Sequence, residues 1–542
     1  MYMKYFLIGL VAALLFIPFL GAVHLFDWDE INFAEAAREM LVSHNYLQVQ
    51  IDFHPFWEKP PVFIWMQAAC MAVFGVNEFA ARLPNALVGI ATIVTFFAIG
   101  KKLVSEKFGM WWALLYAGCW LPHFYFKSGI IDPTFNYFIF LAVYCVYRIG
   151  FSEKKIRLAV LAGVFLGLAV LTKGPVAILV SGLTLAVYFV VNRFRLGAKI
   201  GHLLLVALFA VITTASWFGV EIVRHGWWFV NQFVTYQVRL FQTEDAGHGG
   251  PFFYHWIILL IGCFPASIFL FSYLRARQEN RQVEKAEVKD LVKWMWVLFW
   301  VVLILFSIVK TKIVHYSSLC YFPLSFLAAY QVYRLLEGKA TLRKWQVALL
   351  MLVGVVLGIA IGALPLVGIY KAQLIPQIHD RFAVGNLQAD VPWSFAECGY
   401  GLAYAVMVVV SCVLLLRKKV QPGLLCLFIS TIVAIQVTVV HFVPKVEAYS
   451  QRAAIEYFQS FIGKDVYVAP LDYKSYAHLF YTRKLPATNP HYYADPDWLL
   501  NGQLDKPAYF ICRVSNSDHW RTDPRLELVG EKNGFVFFKR KQ

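Results

Sequence analysis

A chain of 542 residues with 59% hydrophobic and only 15% charged positions is not composed like a soluble protein, in which about a quarter of residues are charged. Its formal charge of +16 would suit a nucleic-acid partner, but the basic excess sits in short loops between apolar runs. That is the pattern that orients membrane helices, so composition argues for a polytopic membrane protein and against an anionic polymer as ligand.

In chain order, the first apolar run, 5–24, follows Lys4 and enters bulky Phe26-Asp27-Trp28 with no small-residue cleavage site, so it is expected to be an uncleaved first span. The region 26–82 is amphipathic, and its apolar run 61–75 is too short to cross, so it is expected at the interface. Further spans are expected near 83–100, 109–125, 132–148, 158–172, 175–191, 203–221, 252–274, 294–309, 317–333, 346–369, 397–416 and 423–442. That makes about 13 crossings, with Lys101, Lys102, Arg148, Arg193, Arg277, Arg334 and Arg417 in inside loops. From residue 443 the composition turns polar and aromatic. Runs at 465–469, 509–514 and 534–539 predict strands, and 447–462 a helix. The expected organisation is mainly α: a transmembrane domain over 1–442 and a small extracytoplasmic α/β domain over 443–542. The cysteines form no CxxC or metal-knuckle pattern, and Cys398 and Cys512 fall in segments expected to be exposed.

This topology gathers ionisable groups at one face. Asp29, Glu30, Glu58, Lys59, Asp132, Arg239, His248, Lys310, Lys312, His315 and Tyr316 all map to the outer side, where charge near spans usually marks a binding or catalytic route. Each has a plainer reading. Asp29 and Glu30 open a helix whose dipole favours acids, and its apolar residues Ile31, Ala34, Met40 and Leu41 would lay it on the membrane surface. In Glu58-Lys59-Pro60-Pro61 the prolines fix an extended turn beside an apolar run, where Lys59 suits a lipid phosphate or simply snorkels. Asp132 before Pro133 is an ordinary helix start. His248 lies in a glycine-rich turn, and a lone loop histidine is usually just solvated. Lys310, Lys312 and His315 in a very short loop would draw phosphate. Thr172-Lys173-Gly174-Pro175, by contrast, reads as a tight outer turn with a snorkelling lysine.

The order Asp29-Glu30-x-x-Phe33-Ala34-Glu35-x-x-Arg38-Glu39-Met40 followed by Glu58-Lys59-Pro60-Pro61 resembles the start of the bacterial lipid A aminoarabinose transferases. These are polyprenyl-phosphate-dependent C-type (GT-C) glycosyltransferases, related to the protein O-mannosyltransferases. The stretch from Arg239 to Pro265, and Lys312-x-x-x-Tyr316 before Tyr321-x-Pro323, resemble the same family, whereas Asp27-Trp28 departs from its pattern. The resemblance implies an inverting transfer of a sugar from a polyprenyl-phosphate donor to a lipid, glycan or protein acceptor outside the cytoplasm of a bacterial inner membrane. It implies Asp29 and Asp132 as functional acids and Lys59 as a donor-phosphate contact, with Arg239 and Tyr316 as further contacts, to which the basic-loop reading adds Lys310 and Lys312. It implies a divalent ion (Zn, Mg or Mn) near Glu58 and His248, and no organic cofactor. Two other classes compete. A polyprenyl-lipid transporter or flippase predicts acids at mid-bilayer and an internal repeat, neither of which the sequence displays. A non-catalytic envelope assembly protein leaves the charged loops without a purpose.

Overall fold

The computed structural model describes residues 2–242, 249–270 and 285–541. Among them, seven helices are long and apolar enough to cross a bilayer: Glu78–Leu103, Lys155–Lys173, Ile200–His225, Ala286–Ile308, Lys344–Ile369, Phe395–Leu416 and Val420–Ala448. Shorter apolar helices, Tyr2–Phe16, Val62–Phe74 and Val176–Val191, pack among them. The protein is a multi-pass integral membrane protein. The run expected as one span at 109–125 is broken into Glu106–Ala117 and Trp120–Tyr125, because Pro122 has no N–H to give to the carbonyl a turn earlier.

Small residues bring the spans together. A Cβ added at Gly163 would lie 2.5 Å from the Val206 carbonyl, and one at Gly167 2.4 Å from Thr213 Cβ, so the helices Lys155–Lys173 and Ile200–His225 meet backbone to backbone. The end of Lys155–Lys173 is thereby fixed close to the start of helix Asp132–Ile149, which packs along it.

Helix Asp29–Ser43 does not lie on a surface as expected. Every residue from Glu30 to Met40 is buried, between helix Val62–Phe74 and the C-terminal region. The reason is electrostatic as well as apolar. Arg82 donates to both Glu30 oxygens, at 3.0 and 2.7 Å, and to the carbonyls of Leu20, Val23 and His24. Glu30 also accepts from the backbone N–H groups of Phe26 and Gly129. Burial alone would raise the Glu30 pKa, but Arg82 and these donors carry it below the ordinary glutamate value. Glu30, expected beside the reacting groups, is instead the fastener between the first loop, helix Glu78–Leu103 and the 126–131 turn.

A short hairpin of β1 (Gln50–Ile51) and β2 (His54–Pro55) closes against the same helix, where Glu39 accepts from the N–H groups of Asp52 and Phe53 at 2.6 and 2.8 Å. Burial, together with Glu35 beside it, raises the Glu39 pKa, so this carboxyl holds its proton at neutral pH. A raised folded pKa contributes stability that is fully present in acid and is lost as pH climbs from the ordinary carboxyl range through the raised value. Glu39→Gln is expected to flatten the fall of the thermal midpoint on the alkaline side while leaving the acid side unchanged, measured in detergent from pH 5 to 10.

The C-terminal region forms a four-stranded sheet of β3 (Tyr467–Leu471), β4 (Ala508–Arg513), β5 (Leu526–Lys532) and β6 (Phe535–Arg540), in the order β3-β4-β6-β5. β3 and β4 are parallel and the other pairs antiparallel. β5 is the strand that sequence did not reveal: its polar residues at an edge, with a bulge between Leu528 and Gly530, hide the alternation. Asn533-Gly534, both with positive φ, turn the chain from β5 into β6. The helix expected over 447–462 is divided into Val443–Ala448 and Arg452–Gln459. Cys512, expected to be exposed, is buried in β4.

This sheet unit is pinned to the first loop. Tyr481 Oη accepts from Leu25 N at 2.7 Å, Gln451 donates to the Leu25 carbonyl at 2.7 Å, and Lys484 pairs with Asp52. Arg381 adds a two-toothed pair with Asp518, at 2.6 and 2.9 Å, from the loop before Phe395.

Candidate active site

Four elements converge at the end of the bundle that carries the sheet unit. Helix Asp29–Ser43 presents Asp29 in its first turn, and helix Asp132–Ile149 presents Asp132 in its own. Lys173 stands at the end of Lys155–Lys173, and the turn Val314–Cys320 presents His315 and Tyr316. Both acids therefore lie in the first turn of a helix, at its positive end.

His315 Nε2 stands 3.7 Å from Asp29 Oδ2 and 3.8 Å from Asp132 Oδ2. Both distances exceed a direct hydrogen bond and are right for a bridging hydroxyl or water. The Asp29 side chain is 33% exposed and that of Asp132 only 3%, so one acid faces incoming solute and the other is sunk behind it. Lys173 donates to Asp132 Oδ1 at 2.5 Å, while Oδ2 is buried without a hydrogen-bond partner among the described residues. Burial lowers the His315 pKa below the ordinary histidine value, against the pull of Asp132, so the imidazole is neutral at physiological pH.

Lys59 stands on the other flank. Its Nζ lies 5.0 Å from the Tyr236 ring centroid and 3.5 Å from its hydroxyl, and the Arg239 guanidinium lies 5.2 Å from the same ring. Tyr236 thus holds both cations as a cation–π bracket. Burial lowers the Lys59 pKa, with Asp29 and Glu58 opposing, so Lys59 shares the electrostatic field of the acids. Beneath Asp132 opens a small cavity of about 50 Å³ whose walls include Phe135, Val176, Val180, Phe306 and Leu319, with Lys173 and Tyr316 at its polar end. The Lys173 ammonium lies 5.1 Å from the Tyr316 ring centroid. A polar head with an apolar slot behind it suits an amphiphile with a charged headgroup.

The assignments from sequence fare unequally. Asp29, Lys59, Asp132, Arg239 and Tyr316 come to one end of the bundle. Lys310 is exposed. Lys312 has a different task from the phosphate contact expected of it: it is buried, and its ammonium donates to the carbonyls of Phe306, Ser307 and Val309 at 3.0, 2.7 and 2.5 Å. It closes the C-terminus of helix Ala286–Ile308, where carbonyls lack partners and the dipole favours a cation. Lys312→Met is expected to cost about 1–3 kcal/mol of stability and to leave lipid-phosphate affinity unchanged, read from thermal unfolding and from binding. Lys173, expected to snorkel, is instead the partner of Asp132. The sequence reading already set Lys173 in an outer turn, on Asp132's side; the pairing itself depends on how the two helices pack. Tyr236 carried no signal at all in sequence.

Of the expected metal ligands, Glu58 is half-buried near Lys59, and His248 lies outside the described residues. Among the described residues no group of three or more His, Cys, Asp or Glu is placed to hold a metal ion.

Comparison with known proteins bears on this geometry. A family profile described as dolichyl-phosphate-mannose-protein mannosyltransferase matches residues 58–217. The whole fold matches ArnT from Cupriavidus metallidurans bound to undecaprenyl phosphate, with a TM-score of 0.77 over 98% of this chain and 97% of that one, at 19% identity. The chain has the GT-C fold. Within that fold it resembles the undecaprenyl phosphate-alpha-4-amino-4-deoxy-L-arabinose arabinosyl transferases in sequence. It is 26% identical over 312 residues to that of Wigglesworthia glossinidia brevipalpis, covering 56% of this chain and 53% of the relative. It is 28% identical over 304 residues to that of Pseudomonas aeruginosa strain UCBPP-PA14, covering 55% and 54%. The chain spans about half the length of the curated relatives it matches. The described GT-C bundle and sheet unit together account for the full-length structural match.

Proposed function

We propose that this chain is an inverting glycosyltransferase, moving a sugar from a polyprenyl-phosphate donor to a lipid, glycan or protein acceptor on the extracytoplasmic face of a bacterial inner membrane. The observation that carries the reading is the pair of acids, Asp29 and Asp132, facing one neutral imidazole between two cationic flanks and above an apolar slot. The relatives' donor, an undecaprenyl phosphate sugar, has the shape that such a slot and head would accept. The basic loops of the sequence support the orientation, with residues 1–442 as the transferase unit and 443–542 as an extracytoplasmic α/β unit.

In this reading the donor's prenyl chain lies along Phe135, Val176 and Val180, and its phosphate meets Lys59, Arg239 and Tyr316. The acceptor hydroxyl enters between Asp29 and His315 and attacks the anomeric carbon. Its proton passes to the Asp29 carboxylate as the carbon–oxygen bond to phosphate breaks, and the electron pair goes to the phosphate oxygen. Lys59 and Arg239 offset the charge that grows there. Asp132, held by Lys173, keeps the imidazole and the sugar in register. One displacement inverts the anomeric configuration. No step runs through a metal ion.

The test is mass spectrometry of envelope glycolipids and glycoproteins from cells with and without the chain. A glycan mass that disappears with the chain and returns with it supports transfer. Identical profiles overturn it.

A further inference from the structure

Away from the acids, the sheet unit carries a second cavity of about 370 Å³, lined by Lys464, Arg483, Lys484, Leu485, Tyr492 and Lys506 among others. Its lining carries four basic side chains, Lys464, Arg483, Lys484 and Lys506, against one acid, Asp465. Lys484 is committed to Asp52 and Tyr492, and Lys506 donates to Asp465 at 2.7 Å, an acid whose side chain is 87% exposed. Lys464, however, is exposed with its ammonium over the Phe461 ring at 5.5 Å. Arg483 donates through one nitrogen to the Val76 carbonyl at 2.5 Å, while its other terminal nitrogen, Nη1, is buried with no hydrogen-bond partner among the described residues. A buried guanidinium N–H without an acceptor is costly, and an anion in the cavity would relieve it.

The rim is apolar where such a groove in a soluble domain would be polar. Leu485 is 67% exposed, and Ile462, next to the lining residue Phe461, is 51% exposed. The Arg483 contact with Val76 sets the cavity beside the end of helix Val62–Phe74, where Val73 and Phe74 are also exposed, at 75% and 52%. Large apolar side chains in water beside a basic groove are the composition of a membrane-surface contact.

We propose that this groove binds the phosphate of an anionic membrane lipid, seating the sheet unit on the bilayer, with Arg483 Nη1, Lys464 and Lys506 on the phosphate and Leu485 and Ile462 among the acyl chains. The site is separate from the acids and does not depend on the reaction they perform.

The full chain in detergent, titrated with phosphatidylglycerol, phosphatidylcholine or inorganic phosphate, tests this by hydrogen exchange of residues 482–488. Phosphatidylglycerol is expected to slow exchange there at least fivefold more than phosphatidylcholine. Lys464→Glu combined with Lys506→Gln should abolish the difference without changing exchange elsewhere in the sheet. Equal protection by both lipids, or protection that survives the double substitution, overturns the proposal. Protection by inorganic phosphate as strong as by phosphatidylglycerol overturns the lipid assignment, since the groove would then be a site for soluble phosphate.

Discussion

Asp29→Asn is expected to lower turnover by about 10²–10⁴-fold with little change in affinity for the lipid-linked donor. The substitution keeps the size of the side chain and removes the carboxylate that faces incoming solute 3.7 Å from His315. Asparagine neither takes a proton nor offsets the positive charge that develops on the attacking hydroxyl oxygen, so the loss falls on the chemical step. Binding rests on Lys59, Arg239 and the apolar slot, which the substitution does not touch. Single-turnover transfer and equilibrium binding of polyprenyl phosphate separate the two effects. A parallel loss of binding would mean that Asp29 holds the donor and is not the base.

Arg82→Met is expected to destabilise the protein by about 3–5 kcal/mol, the largest effect of any single substitution outside the acids. Arg82 is 5% exposed and satisfies Glu30 together with three backbone carbonyls, so its removal leaves a buried carboxylate and those carbonyls unpaired. Helix Asp29–Ser43 hangs on this contact, so activity should fall with stability even though Arg82 touches none of the reacting groups. The thermal midpoint in detergent and proteolysis of the segment 20–29 read the two consequences. Glu30→Gln should be milder, since a neutral amide is less costly to bury than a lone carboxylate and Arg82 keeps its three carbonyls, although the single amide oxygen can accept from only one of Phe26 and Gly129.

Hydropathy made the membrane bundle legible, because a span must satisfy its own backbone and so announces itself over ~20 residues. The acids were legible for a related reason: charge beside a span is rare, and Asp29, Lys59 and Asp132 stood out against an apolar background. What stayed hidden depends on partners far apart in sequence. Glu30 and Asp29 are adjacent and alike in sequence, yet one ends against Arg82 and the other at the cleft. Lys173 and Lys312 both read as loop lysines, and only packing shows that the first completes Asp132 while the second caps a helix. Helix Asp29–Ser43 reads as an interfacial helix because its burial comes from the sheet unit, which begins some 420 residues later. β5 escaped notice because an edge strand needs only one partner and can be polar.

The most direct measurement is transfer by the purified chain in liposomes loaded with a polyprenyl-phosphate sugar labelled in the sugar, followed by determination of the anomeric configuration of the product. Label is expected to leave the donor only when an acceptor is present, to appear with inverted configuration, and to stay on the donor in Asp29→Asn. Donor that crosses the bilayer with its sugar–phosphate bond intact, at the same rate in Asp29→Asn, would contradict glycosyl transfer and make the chain a lipid transporter.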